Sequence, residues 1–487
     1  MSQSTGEPEV HAGSRSAASA DRVPAAGSLR ELWIVALPLM ISSGSLSLMH
    51  VVDRIFLTWV SVDALAASMP AGVFNWTVMS IPFGVATYTN TFIAQYDGAA
   101  RRDRLVASLW QGAILAVLSG LLLLVGVPLA GPIFNAMGHA ENVRQMEIVY
   151  FQTLVWGAVP MLLSAALSSF FSGRGQTQVV MWVHLGSALL NGVLDYVLIF
   201  GAGPVPAMGI FGAALATVLA NVVSCTVFAV LVWKIAREEG YPLLGEARLD
   251  LPLMGRLLRF GVPNGMQVLV DIGAFCVFVI VVGQLGTNEL AATNIALNLN
   301  SLAFVPMFGL GTAIMTLVGR RIGEDRPLVA EQSTYRALQV SLGYMAFWAT
   351  AYLFLPDLLL MPYAAFARLE SFDVIRPVVV VLLRFVAIYS LFDALAIVFG
   401  SAIRGAGDTR FSFWWTLLCG WGLLVLPAWW ISHHNPQHGL YGSWGAASVY
   451  ITAMGIGFCI RFRGGRWKSM RVIESTDDER VAGLPAA

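Results

Sequence analysis

Charge is what this sequence lacks most. Of 487 residues only 12% are Asp, Glu, Lys or Arg, against about 25% in an ordinary soluble chain. Lysine is nearly missing, with Lys234 and Lys468 the two lysines among 29 basic residues. So few charges cannot keep the surface of a soluble domain of this size wet, and a chain that is 57% apolar is no disordered polymer. Neither sign is in excess, because 29 acidic residues offset the 29 basic ones; a basic nucleic-acid binder is excluded. Cysteine is sparse too. Cys225, Cys276, Cys419 and Cys459 lie in apolar runs without CxxC or metal-ligand spacing, so neither a disulfide framework nor a zinc site is indicated. What is abundant is long apolar sequence, and the chain reads as an integral membrane protein.

Residues 1–30, rich in Ser, Ala, Gly and Glu and without an apolar signal core, read as a disordered cytoplasmic tail. Beyond them, runs long enough for helices across a core of ~30 Å predict twelve spans. The first six lie near 32–58, 68–95, 106–134, 148–171, 179–201 and 209–234. The second six lie near 256–284, 292–319, 335–361, 376–402, 411–432 and 442–461. Both tails and the loops after even-numbered spans collect 24 of the 29 basic residues, and the opposite loops hold Arg144, Arg368 and Arg376 alone. The positive-inside rule then predicts a multi-pass membrane protein with both termini in the cytoplasm.

The chain also repeats itself. A shift of 225 residues lays Pro38 on Pro263, Leu65-Ala66-Ala67 on Leu290-Ala291-Ala292, Phe83-Gly84 on Phe308-Gly309 and Gly98 on Gly323. A shift of 232 matches Gly173, Gly175 and Thr177 to Gly405, Gly407 and Thr409. Six spans per unit is an even number, so the units are parallel repeats about an axis along the membrane normal. The reading is therefore all-α: an N-lobe over 31–234, a cytoplasmic linker over 235–255, a C-lobe over 256–462 and a cytoplasmic tail over 463–487. Two lobes facing one another make a cleft suited to alternating access.

Four carboxylates stand well inside apolar spans: Asp53, Asp195, Asp271 and Asp393. Each costs roughly 2.5–3.5 kcal/mol at mid-helix on insertion scales, so keeping four, two per lobe, points to ion handling rather than to structure alone. Asn191 precedes Asp195 by one turn and shares its face. Asn264, Gln267 and Asp271 form one polar stripe on the seventh span, and Tyr389 stands one turn before Asp393, placed to donate to it. Oxygen-only groups suit a hard cation or a proton rather than a transition metal. Arg54 follows Asp53 but points about 100° away on a helix, so the two need not neutralise one another.

Several stretches in order resemble the multidrug and toxic compound extrusion (MATE) family, of the bacterial NorM/DinF kind. They are Leu37-Pro38 leading to Val52-Asp53, Leu189-Leu190-Asn191 running to Leu194-Asp195-Tyr196, and Met208-Gly209-Ile210-Phe211-Gly212-Ala213-Ala214 running to Ala216-Thr217. In the second lobe they are Gly261-Val262-Pro263 leading to Asp271, and Ala387-Ile388-Tyr389 leading to Asp393 and Arg404-Gly405. The resemblance implies an N-lobe cation site at Asp53, Asn191, Asp195 and Thr217. It implies a C-lobe site at Asp271 and Asp393, to which the residue spacing adds Tyr389 and Gln267. Two departures stand out: Arg54 replaces the usual small residue, and Thr293-Asn294 stands where NorM-like members tend to carry His-Gln.

The expected function is secondary antiport: a cationic or amphipathic organic compound leaves in exchange for Na⁺ or H⁺, with no cofactor beyond that ion. The expected partners are the small-molecule substrate and the bilayer, with no nucleic acid, and the monomer is the expected functional unit. The competing reading is a lipid-linked oligosaccharide flippase of the same superfamily, which usually lines its cleft with several Arg and Lys. Here only Arg54 and Arg384 fall inside spans, which favours the antiporter. An enzyme is not expected, since the seven histidines form no catalytic constellation and His433, His434 and His438 share one outer loop.

Overall fold

A computed structural model describes residues 25–366 and 369–474, and the expectations for 1–24 and 475–487 lie outside the described residues. The described chain is helical. The first half holds α1 (Leu29–Val60), α2 (Val62–Gly98), α3 (Arg102–Leu124), α4 (Ala130–Ala136), α5 (Glu141–Trp156), α6 (Ala158–Gly173), α7 (Thr177–Phe200) and α8 (Gly209–Glu238). The second holds α9 (Leu251–Gly283), α10 (Thr287–Gly323), α11 (Pro327–Phe354), α12 (Pro356–Phe366), α13 (Leu369–Ala406), α14 (Thr409–Cys419), α15 (Leu426–His434) and α16 (Gly439–Arg463). A π-helical turn, Gly420–Val425, joins α14 to α15.

Ten helical segments are long and apolar enough to cross a membrane, and two bent pairs bring the number to twelve. The fourth and ninth predicted spans are these pairs. The fourth breaks by 43° at Gly157, between α5 and α6. The ninth breaks by 77° at Leu355, which precedes Pro356 and so is pushed away from helical geometry. The chain is organised from Leu29 onward: Ser28 caps α1 by accepting from Glu31 N at 3.1 Å, and Glu31 in turn accepts from Gly27 N at 2.6 Å. That order starts inside the segment expected to be a tail.

Within the first half α1 packs on α7, α7 on α8, and α2 on α3, α5 and α6. Within the second, α10 packs on α11 and α13, α13 on α16, and α9 on α14. The halves meet through α1 and α2 against α9 and α10. Small residues let these backbones approach closely, the usual basis of helix association in lipid, where apolar burial between helices supplies no drive.

Those close approaches come in reciprocal pairs, and the 225-residue repeat relates them. A Cβ on Gly84 of α2 would collide with Gly265 of α9, and one on Gly309 of α10 with Leu39 and Met40 of α1. Gly309 is the repeat mate of Gly84, and Gly265 of Met40. Likewise a Cβ on Gly98 would meet the carbonyl of Arg320, and one on Gly323 the carbonyl of Gln95, the repeat mate of Arg320. Residue i touching j′ while i′ touches j is the signature of a two-fold axis. The repeat seen in sequence is thus a contact rule in space.

Candidate functional site

The N-half acids come together. Asp53 of α1 and Asp195 of α7 are buried, at 4% and 0% exposure, and their carboxyl groups are within hydrogen-bonding reach of one another. The hydrogen-bond network turns the amide of Asn191 toward both: its Nδ2 donates to Asp53 Oδ1 at 2.9 Å and to Asp195 Oδ2 at 3.2 Å. The i, i+4 spacing of Asn191 and Asp195 on α7 makes this possible, and the tight packing of α1 on α7 delivers Asp53. Two facing carboxyl groups need a shared proton or a cation between them. Asp195 Oδ1 has no hydrogen-bond partner although it is buried. The arrangement can therefore take one more positive charge.

Around this pair the sequence expectations divide. Thr217 is also buried, but its Oγ1 donates to the Ala213 carbonyl of its own helix at 3.2 Å rather than to either acid. Arg54 is exposed while Asp53 is buried, as the 100° offset requires. His50, one turn before Asp53, places Nδ1 3.9 Å from Asp53 Oδ2. It went unnoticed as a neighbour in sequence, although its i, i+3 spacing was the available signal.

The C-half acids have different company. Tyr450 of α16 donates to Asp271 Oδ1 at 3.0 Å. Asp393 is buried at 9% exposure and interacts electrostatically with Asp271. No hydrogen bond joins Tyr389 to Asp393 among the described residues, so the tyrosine that serves this site is Tyr450. Gln267 does not reach the acids either, and its Oε1 accepts from Arg404 at 3.5 Å.

Arg404 is the residue sequence reasoning misplaced. It was counted with the loop arginines that set topology, yet its guanidinium points back along α13, with Nε to Gly400 O at 3.2 Å and an N–H to Ser401 Oγ at 3.1 Å. From there it acts electrostatically on Asp271. Of the departures from the family pattern, Thr293 is buried and accepts from Trp444 Nε1 at 3.1 Å, while Asn294 is exposed.

The arginine-rich ends of the helices close the space between the halves. Hydrogen bonds cross there from Tyr88 to the Arg404 carbonyl at 2.8 Å, from Asn90 to Thr316 at 3.0 Å, from Gln95 to the Gly405 carbonyl at 3.0 Å and from Asn264 to the Gly84 carbonyl at 3.0 Å. Ion pairs join Glu31 to Arg321 and, at 3.6 Å, Asp97 to Arg320. The segment after α16 folds back beneath this seam. Trp467, Val472 and Ile473 are buried, Val472 N donates to Gln95 Oε1 at 2.9 Å, and Glu474 accepts from Tyr96 at 2.5 Å, Arg104 at 2.6 Å and Arg256. Tyr96 and Arg104 belong to the first half and Arg256 to the second. Burial alone pushes the Glu474 carboxyl up, but hydrogen bonds from Arg256 and Tyr96 and the Arg256 charge hold it down at about 2.

Known proteins share this plan. The MatE family model matches residues 38–197 and 263–430, two stretches that begin 225 residues apart, the interval of the internal repeat. The multidrug resistance protein NorM of Burkholderia vietnamiensis is 28% identical over 435 residues, covering 88% of this chain and 92% of that protein. A probable multidrug resistance protein NorM of Geobacillus kaustophilus is 29% identical over 411 residues, covering 83% and 88%. Among solved structures, an outward-facing multidrug resistance MATE family transporter of the MOP superfamily superposes with a TM-score of 0.81 at 22% identity, over 91% of this chain and 97% of that one. A MOP superfamily transporter from Pyrococcus furiosus, with a TM-score of 0.81, shares the fold equally well. Buried acids, a two-fold repeat of membrane helices and these matches agree, and the chain belongs to the MatE family of membrane transporters.

Proposed function

We propose that this protein is a secondary antiporter that exports cationic or amphipathic drug-like compounds across a bacterial inner membrane in exchange for Na⁺ or H⁺. The observation that carries the reading is the Asp53–Asn191–Asp195 group: two buried acids, one amide and an unmatched carboxylate oxygen. The multidrug names of the NorM relatives support the substrate class. One monovalent cation entering down 100 mV supplies ~2.3 kcal/mol, enough for roughly a fifty-fold substrate gradient.

The geometry supports the following cycle. The contacts between the halves cluster at the arginine-rich ends, which the positive-inside rule assigns to the cytoplasm along with both termini. The cleft is then open to the outside, and the glycine seam with the Glu474 cluster is the inner gate. A cation or proton that enters from outside binds between Asp53 and Asp195. Asn191 accommodates a metal ion by turning its amide oxygen inward, and a proton by keeping its N–H groups there. Binding stabilises one arrangement of the halves and substrate the other, and that difference in affinity is what couples the two fluxes. The test is efflux of a fluorescent organic cation from proteoliposomes under sodium and proton gradients imposed separately. Asp53→Asn and Asp195→Asn should each abolish gradient-driven efflux, and full activity in both variants would refute the coupling site.

A further inference from the structure

A groove of about 340 Å³ lies between α14 and α16 near the arginine-rich end, away from both acid pairs. Its floor is aromatic: Phe411 and Trp415 stack at 6.1 Å with their planes 7° apart. Gly457 of α16 lets the Trp415 ring lie directly on the helix, where any Cβ would collide with it. The indole N–H of Trp415 is buried in this wall with no acceptor. Arg461 crosses above, its guanidinium 4.8 Å from the centre of the Phe411 ring. Its Nε donates to Asp408 Oδ2 at 2.7 Å, and neither terminal nitrogen hydrogen-bonds a carboxylate among the described residues. Arg466 lines the same groove and makes no ion pair among the described residues. Arg410 and Arg463, one residue from the groove on either wall, are exposed and equally unpaired among them.

We infer that this groove binds the phosphate headgroup of an anionic phospholipid of the arginine-rich leaflet. Polarity is graded along the groove as it is along a lipid. Arg461 and Arg466 stand at one end, where α16 gives way to the following turn. Ile456 and Ile460 of α16 and Trp414 and Leu418 of α14 are exposed beside it, at 45%, 67%, 64% and 64%. A free phosphate ester would use the arginines and leave that apolar surface idle, whereas acyl chains cover it. Asp408 takes one face of Arg461, and the remaining positive charge is matched by a single phosphodiester. Basic pockets between membrane helices on the cytoplasmic side are the expected place for such headgroups. Aromatic rings at that level anchor the interface.

The test uses the full-length protein reconstituted in nanodiscs of phosphatidylcholine with a minor share of phosphatidylglycerol. After transfer to detergent, the lipid retained per protein is measured by mass spectrometry. The wild type should retain phosphatidylglycerol at least tenfold over its share of the bilayer. Arg466→Gln should cut that enrichment at least threefold, and Arg461→Gln with Arg466→Gln should remove it. Trp415→Phe keeps the stacking, deletes the N–H and should lower retention by a smaller factor. Arg466→Gln breaks no ion pair, so it carries the test if the Arg461 variant does not fold. Millimolar glycerol 3-phosphate should leave the bound lipid in place. Equal retention of the two lipids, or unchanged enrichment in the Arg466 variant, would overturn the assignment. Complete displacement by glycerol 3-phosphate would overturn it in favour of a soluble phosphate ester.

Discussion

The two halves of this transporter share a backbone plan and do not share their acids. Adding 225 to Asp53 leads to Phe278, and adding 232, the shift that holds from Gly173 onward, to Asp195 leads to Pro427; neither is acidic. The N-half pair is bridged by one neutral amide and has a carboxylate oxygen to spare. In the C half, Asp271 is served by a tyrosine hydroxyl and lies in the field of Arg404, a positive charge that never leaves. A site with a built-in cation has less need of a mobile one. The frame is symmetric between the halves, and the chemistry set in it is not. On the proposed mechanism, the N-half pair is the one that would take a coupling ion.

The largest effect that follows is on coupling. Asp195→Asn should lower ion-driven efflux in proteoliposomes at least tenfold, while Asp271→Asn should lower it only a few-fold. The reverse ranking would break the comparison between the halves. A second measurement sharpens it. Arg404→Gln strips the C-half pair of its resident charge, so equilibrium binding of radioactive sodium to the purified protein should rise relative to wild type if sodium is the coupling ion. No rise in a folded variant would mean that Arg404 does not occupy the place of a cation.

Symmetry of the frame makes a smaller prediction. Gly84→Ala and its counterpart Gly309→Ala each place a methyl group against the backbone of the opposite half. Each should destabilise the closed arrangement by about 1–3 kcal/mol, the usual cost of overpacking, and thermal midpoints in detergent should fall by similar amounts. A change confined to one of them would show that the reciprocal contacts are unequal in energy.

The smallest effect concerns acid. Glu474 is held at about 2 when folded, against roughly 4.3 for a free glutamate. Its contribution to stability is therefore complete above about pH 4.3 and is lost as pH falls toward 2. Hydrogen exchange over residues 466–474 should be unchanged between pH 5 and 8 after correction for intrinsic rates, and protection should fall only below that window. Glu474→Gln should remove this acid dependence and loosen the segment at neutral pH.

Much of this was legible in the sequence because lipid simplifies the code. Hydropathy located the spans, the 225-residue shift paired Gly84 with Gly309 and Gly98 with Gly323, all four of which lie at contacts between the halves, and four acids in apolar runs stood out by their cost. The bend at Gly157 was not legible, since an apolar run reads the same whether its helix is straight or broken, whereas the bend at Leu355 has its signal in the following Pro356. Arg404 was missed because an arginine at a span end is ordinarily a topology signal, and only folding turns it back on Gln267, 137 residues away in the chain. Tyr450 lies 179 residues from Asp271, so no local spacing could pair them, and the nearer Tyr389 drew the assignment. Glu474 looked like one more charge in a tail. Its partners come from three different helices, which no pattern along the chain announces.

The glycine seam has a mechanical meaning. Where Gly84 meets Gly265 and Gly309 meets Leu39, main chain lies against main chain, and Asn264 adds a side-chain hydrogen bond to the Gly84 carbonyl. Interlocked side chains would have to be lifted clear before the halves could move. Smooth surfaces can part and rejoin with few rotamers to reset. In the proposed cycle such a seam would serve as a bearing more than a bond, with the hydrogen bonds and ion pairs at its inner edge as the detent.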